Sequence, residues 1–470
     1  MMSIDWMQEV DSRKESLIED AKKLLKIKSV LNEEHMTPEA PLGKGVKEAL
    51  DFMLKLGEKD GFTAKNVGNL AGHLEFGHGE ELIGILCHVD VVPEGDGWTS
   101  DPYEAEIREG KIYARGAIDD KGPTMAAYYA MKIVKELGLP LNKRVRMIIG
   151  TDEESDWRCV DHYFENEEMP TMGFAPDADF PIIFAEKGIS DFDLVQTKND
   201  RLDHEGKTKV ISFSSGLRYN MVPDFAKATI ASDDLDAVKQ KFENFLQEKA
   251  VKGQAQLDNG EINLEVEGKS AHGMEPEHGV NAGFILADFI TTLAIDVQAE
   301  KYFEFISKYF LGDSRGKRLG VAYADDITGD LTINVGKMRY EQETGGTLGL
   351  NLRYPVTNEM DETKKKIESA IEKDGFRLEN YSDSKPHHVD EKEFLIQTLK
   401  KVYEEQTGEK AELISIGGGT YARALKTAVA FGPLFPGRPD VAHQKDEYMD
   451  IEDLYKATAI YAQAIYELAK

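Results

Sequence analysis

Two apolar runs constrain this chain more than any other feature. They are Leu82-Ile83-Gly84-Ile85-Leu86-Cys87 and Val145-Arg146-Met147-Ile148-Ile149-Gly150, the second broken by a single arginine. Runs of this length without polar alternation suit strands covered on both faces, as in parallel sheets. Residues 123–137 between them carry helical apolar spacing, as do residues 11–27 and 45–61. Strand–helix–strand alternation predicts an α/β domain.

The texture changes after Gly188. Residues 211–213, 226–230 and 262–266 alternate polar and apolar side chains, as half-exposed antiparallel strands do. Helical spacing follows at 281–299 and 301–309, strands at 331–338 and 347–354, and a charged helix at 358–373. Near Ser384-Lys385-Pro386 the α/β texture returns, with helices at 393–406 and 451–468 and short strands at 413–416 and 428–431. The expected organisation is an α/β catalytic domain in two segments, 1–187 and 385–470, with an inserted α+β lid domain at 188–384.

Charge narrows the partners. Asp and Glu total 86 against 57 Lys and Arg, a formal charge of −29. That field repels phosphate backbones and anionic lipid, so neither nucleic acid nor a membrane surface is an expected partner. The first residues lack the basic end and apolar run of a secretory signal. The longest apolar-rich stretches, at 82–87 and 284–295, fall short of the ~20 residues that span a bilayer. The two cysteines, Cys87 and Cys159, make no disulfide framework. These features predict a cytoplasmic protein. Neighbours on a strand point to opposite faces, so Cys87 is expected to turn away from His88 as a structural thiol.

Acids and histidines cluster where the predicted strands end. His88-Val89-Asp90 closes the first run, and residues two apart share a strand face, which lets Asp90 orient the His88 imidazole. Arg115-Gly116-Ala117-Ile118-Asp119-Asp120-Lys121-Gly122 is a glycine turn followed by two carboxylates and a helix. Asp119 there could bridge two cations, while Asp120 fits helix capping. Asp152-Glu153-Glu154-Ser155 follows the second run. Adjacent carboxylates repel unless something positive separates their tasks. Pro176-Asp177-Ala178-Asp179 offers one more carboxylate, and Ala442-His443-Gln444 one more histidine. Histidine and carboxylate without cysteine is the ligand chemistry of hydrolytic zinc, manganese or cobalt sites. Five ligands (His88, Asp119, Glu154, Asp177 and His443) suit a pair of metals sharing a carboxylate.

The order His-x-Asp, Gly-x-x-Asp-x-Lys-Gly, Glu-Glu, Asp, His resembles the metallopeptidase family of aminoacylases, succinyl-diaminopimelate desuccinylases, glutamate-releasing carboxypeptidases and carnosinase-like dipeptidases. Arg115-Gly116, Asp119-Asp120-Lys121-Gly122-Pro123, the turn Gly417-Gly418-Gly419-Thr420-Tyr421 and the closing stretch look like the PepV-type dipeptidase branch. The resemblance implies two divalent metal ions per chain, zinc or manganese with cobalt possible. His88 and Asp177 would hold one, Glu154 and His443 the other, and Asp119 would bridge. It implies that Asp90 orients His88, that Glu153 is the general base, and that His272 of Ser270-Ala271-His272-Gly273 contacts the oxyanion. Asn220 and Arg353 would hold the substrate. The backbone around Gly418, Gly419 and Thr420 would approach a substrate carboxylate. The segment Met274-Glu275-Pro276-Glu277-His278 is more acidic than the branch leads one to expect.

The expected reaction is hydrolysis of unblocked dipeptides by a monomer whose long insert supplies its own lid. The rival activities are N-acyl-amino-acid deacylase and carboxypeptidase, which also present a carboxylate to Arg353. A catalytically inactive binding protein on the same scaffold would require a lost base or ligand, and none is missing.

Overall fold

A computed structural model describes residues 4–197 and 208–470. The chain forms two compact units. The first comprises residues up to Ala185, His388–Ile414 and Thr420–Lys470; the second comprises Glu186–His387 and Ser415–Gly419. Among the described residues no helix is long and apolar enough to cross a membrane.

The first unit is built on a mixed sheet. From one edge its strands run Thr63–Val67, Ala71–Gly77, Arg144–Gly150, Leu82–His88, Met172–Ala175 and Ala428–Ala430. The last four are mutually parallel, with His88 level with Gly150. Both apolar runs of the sequence are therefore central strands, and Leu82–His88 is buried along its whole length. The helices Lys121–Glu136 and Ile451–Ala469 pack on each other and are themselves almost wholly buried. Their small residues, Ala126, Ala127, Ala130, Ala457, Ala459, Ala462 and Ala464, give the core its close packing.

The arginine that breaks the second run has a local explanation. Arg146 is 5% exposed. Its guanidinium reaches Glu75 at 2.6 Å, Glu168 at 3.2 Å and the Tyr163 hydroxyl at 3.3 Å. The hydroxyl in turn lies 2.8 Å from Nδ1 of the buried His73. Burial first, then the Arg146 cation, pushes the His73 pKa down to about 4. The unfolded chain has a histidine pKa near 6.5. Between those two values the unfolded state takes up a proton that the folded state refuses. This contribution to stability is intact above pH 6.5 and is lost as the pH falls towards 4, by on the order of 2–3 kcal/mol. His73→Gln should flatten the fall in unfolding free energy between pH 7 and 4.5, measured by urea titration. Parallel pH slopes for parent and variant would contradict it.

The second unit is an antiparallel sheet in the order Gly253–Asp258, Glu261–Glu267, Phe225–Ser232, Thr208–Ser215, Thr332–Glu341, Gly345–Tyr354, Gly188–Gln196 and Phe376–Ser384. Burial alternates strictly along Gly188–Gln196, so one face meets the core and the other is less covered. The helices Leu235–Lys249, Ala282–Ile290, Val297–Tyr309 and Met360–Glu372 belong to this unit, and buried residues from each of them join the sheet in one core. The expected helix over 281–299 is two helices: Asp296 accepts from Ala299 N at 3.0 Å and starts a new one.

Candidate metal centre and lid residues

In open α/β sheets, ligands bind beyond the carboxyl ends of the parallel strands. All five candidate ligands sit there in the first unit. His88 ends Leu82–His88, Glu154 follows Arg144–Gly150, Asp177 follows Met172–Ala175, and His443 lies in the chain after Ala428–Ala430. Asp119 stands just before the helix Lys121–Glu136.

These side chains form two overlapping groups, His88/Asp119/Asp177 and Asp119/Glu154/His443. Asp119 Oδ1 lies 3.1 Å from His88 Nε2, and Asp119 Oδ2 lies 3.0 Å from His443 Nε2. His88 Nε2 is also 3.7 Å from Asp177 Oδ1, and His443 Nε2 is 3.0 Å from Glu154 Oε2. Ligands held tetrahedrally at about 2.1 Å from one ion stand about 3.4 Å apart, so these spacings fit one small divalent cation per group.

The electrostatics point the same way. Burial, together with the neighbouring Asp119, pushes Asp177 up to about 6. Burial also drives Glu153 well above the usual carboxylate range, and Glu154 is raised by burial and Asp119. Burial alone would lower His88, but Asp177, Asp119 and Asp90 outweigh it and raise it well above its ordinary value. Hydrogen bonds to Asp119 and Glu154 raise His443 to about 11. The cluster holds more buried negative charge than its two imidazoles can balance, so a pair of divalent cations suits it. His443 has a φ of 61°, in the left-handed region that few residues with a Cβ adopt.

The surrounding side chains divide the remaining tasks. His88 Nδ1 lies 3.1 Å from the Asp90 carbonyl and 3.4 Å from Asp90 Oδ1, while Asp90 Oδ2 accepts from Glu154 N at 3.1 Å. Asp90 thus touches two ligand-bearing loops. Glu153 Oε2 is 4.0 Å from His88 Nε2 and belongs to neither group. Asp152 is taken up by Arg158 through two hydrogen bonds of 2.7 and 2.8 Å. Cys87 is buried, and burial keeps its thiol protonated, so it offers no thiolate.

The lid candidates converge in the second unit. Gly273 N donates to the Asn220 carbonyl at 2.7 Å, and Met221 bridges to His272. Met274 N donates to His272 Nδ1 at 3.1 Å. A backbone N–H can only donate, so Nδ1 is an acceptor and the proton of the neutral ring sits on Nε2. Burial, and then Arg353, lowers the His272 pKa. The Arg353 guanidinium donates to Asn351 Oδ1 at 2.8 Å and to the Gly417 carbonyl at 3.1 Å. Gly418 and Gly419 belong to this unit, whereas Thr420 belongs to the first, where its hydroxyl accepts from Ala422 N at 3.3 Å.

Residues 84–467 match the profile of peptidase family M20/M25/M40. The chain belongs to this peptidase family. It is 56% identical over 467 residues to "Putative dipeptidase YtjP" of Bacillus subtilis strain 168, covering 99% of this chain and 100% of that protein. Among solved structures, aminoacylhistidine dipeptidase from Vibrio alginolyticus aligns with a TM-score of 0.57 at 14% identity, over 97% of this chain and 96% of that one. The M20 family metallo-carboxypeptidase Sso-CP2 from Sulfolobus solfataricus gives 0.56 at 16% identity, over 96% and 99%. At such identities both speak for the fold alone. The expected metallopeptidase and the expected two-domain α/β fold class are borne out by this membership and these folds.

Within the M20 frame, two neighbours of the candidate metal centre play parts that the sequence did not reveal. Asp120 stands at the helix start but makes no capping bond to it. Its Oδ2 instead accepts from His88 N at 3.1 Å and lies 3.0 Å from Thr124 Oγ1. Tyr421 is fully buried, edge-on to His88 at 5.8 Å and to Trp157 at 5.2 Å, with its hydroxyl 3.2 Å from Cys159 Sγ. Its motif was visible in sequence; its partner His88 was not. Gly150 makes room for it, because a Cβ there would fall 1.9 Å from the Tyr421 hydroxyl oxygen. Gly150→Ala should therefore displace Tyr421 and cost ~1–3 kcal/mol of stability. Chemical denaturation checks this, and an unchanged midpoint would contradict it.

Proposed function

We propose that this chain is a dipeptidase that uses two divalent metal ions and a glutamate base to hydrolyse unblocked dipeptides. The observation that carries the proposal is Asp119, whose two oxygens face different imidazoles while Glu153 stands beside both ligand groups without joining either. The relative "Putative dipeptidase YtjP", matched over its whole length, supports the substrate class by its name.

His88 and Asp177 would hold one ion, Glu154 and His443 the other, and Asp119 both. Zinc and manganese suit this donor set, and cobalt is acceptable to it. When bound, such ions supply Lewis acidity that polarises a carbonyl and lowers the pKa of water to roughly 7. Glu153 takes the proton from the attacking water and delivers it to the departing amine. His272, with its proton on Nε2, donates a hydrogen bond to the oxygen that gains negative charge. Arg353 binds the terminal carboxylate with a charge-assisted hydrogen bond, and Asn220 and the Gly418-Gly419-Thr420 backbone orient the substrate. Asp90 keeps the His88 ring in place. A single chain contains an eight-stranded lid sheet, which supports a working monomer.

Two tests follow. Chelation should abolish activity, and zinc, manganese or cobalt should restore it; full activity in metal-free protein would refute the metal reading. On metal-loaded protein, free dipeptides should be cleaved at least tenfold faster than their N-acetylated or C-amidated forms. Faster cleavage of N-acetyl-amino acids would favour the deacylase, and trimming of longer peptides from the C-terminus would favour the carboxypeptidase.

A further inference from the structure

Three of the segments that carry candidate metal ligands meet at one buried ion pair that the mechanism does not use. Arg115 Nη1 donates to Glu447 Oε2 at 2.5 Å, and both side chains are buried. The other oxygen, Glu447 Oε1, accepts from Ile118 N at 3.0 Å and Asp119 N at 3.3 Å. Arg115 Nη2 donates to the Glu94 carbonyl at 3.2 Å, in the loop that follows His88-Val89-Asp90. Glu447 lies four residues beyond His443, and its own carbonyl accepts from Ala114 N at 3.1 Å.

We infer that Arg115 and Glu447 are a positioning pair that sets the spacing of His88, Asp119 and His443 for metal. The inference rests on the metal reading above. Partners that hold a ligand's surroundings commonly govern metal affinity as strongly as 10–100-fold. An apolar pair of similar volume could fill the same space, often without loss of stability. It could not accept the two N–H groups of the turn that aims Asp119, nor tie that turn to the other two loops. The carboxylate is therefore explained by ligand placement rather than by packing.

Glu447→Gln is the direct test. Glutamine has one acceptor oxygen where the site uses two, so either the Asp119 turn or Arg115 loses its partner. Cobalt(II) is titrated into metal-free protein, with visible absorption reporting ligand geometry and elemental analysis reporting stoichiometry. The parent should bind two ions, and Glu447→Gln should bind them at least tenfold more weakly with an altered absorption band. The double variant Arg115→Met/Glu447→Met removes the buried charges together but leaves two N–H groups of the turn without an acceptor, so it should show a lowered thermal midpoint and the same loss of cobalt affinity. Parental affinity and spectrum in Glu447→Gln would overturn the inference, and so would their return in the double variant. Should the double variant not fold, the glutamine variant alone decides. A parent that takes up no cobalt would overturn the metal reading, and this inference with it.

Discussion

Glu153→Ala protein should retain both of its metals and lose turnover by a factor on the order of 10³ or more. A positioned general base is worth roughly 10²–10⁴ in rate. Glu153 belongs to neither ligand group and lies 4.0 Å from His88 Nε2. Removing it leaves every ligand in place and relieves crowding, because burial and the surrounding acids already oppose its charge. Elemental analysis should therefore give the parental metal content, while steady-state kinetics give a collapsed kcat. A variant with parental kcat would show that another group takes the proton, and a variant that loses metal would show that Glu153 is a ligand.

Asp119→Ala should have the opposite signature, with metal lost first and activity lost as a result. Its two oxygens face two different imidazoles, at 3.1 and 3.0 Å. One substitution therefore removes a member from both groups, whereas Asp177→Ala or Glu154→Ala removes a member from one. Asp119→Ala is expected to weaken both ions by 100-fold or more, and the single-group variants to weaken mainly one. Asp119→Asn should fall between, since an amide has one oxygen to share. Two tightly held ions in Asp119→Ala would sink the bridging role.

What could be read from the sequence had a common physical basis. His88, Asp119, Glu154 and Asp177 each sit in a short contiguous motif at the end of an apolar run or at the start of a helix. Local chain geometry alone brings such residues to a sheet's carboxyl edge. Relations that depend on closure over long separations were not legible. Asp120 looked like a helix cap, yet it serves the His88 backbone 32 residues away. The pairing of Thr208–Ser215 with Thr332–Glu341, which joins the two halves of the lid sheet, leaves no local mark on either strand. Tyr421 could be quoted from its glycine turn, but nothing near it in sequence announces His88 or the space left by Gly150. The division of the helix at Asp296 was available in principle, because an aspartate that can accept from the amide N–H three residues on is a capping signal, but the apolar spacing ran across it.

The position of His443 has a consequence for how the protein is made. The group His88/Asp119/Asp177 is encoded in the first two-fifths of the chain, but Asp119/Glu154/His443 is not complete until residue 443 of 470 has been added. The strand Ala428–Ala430, which lies beside Met172–Ala175 in the sheet, arrives almost as late. A ribosome therefore carries a chain whose second ligand group stays incomplete until His443 has been added. On the proposed reading, a fragment that stops before His443 lacks a member of that group and would not hold the second ion.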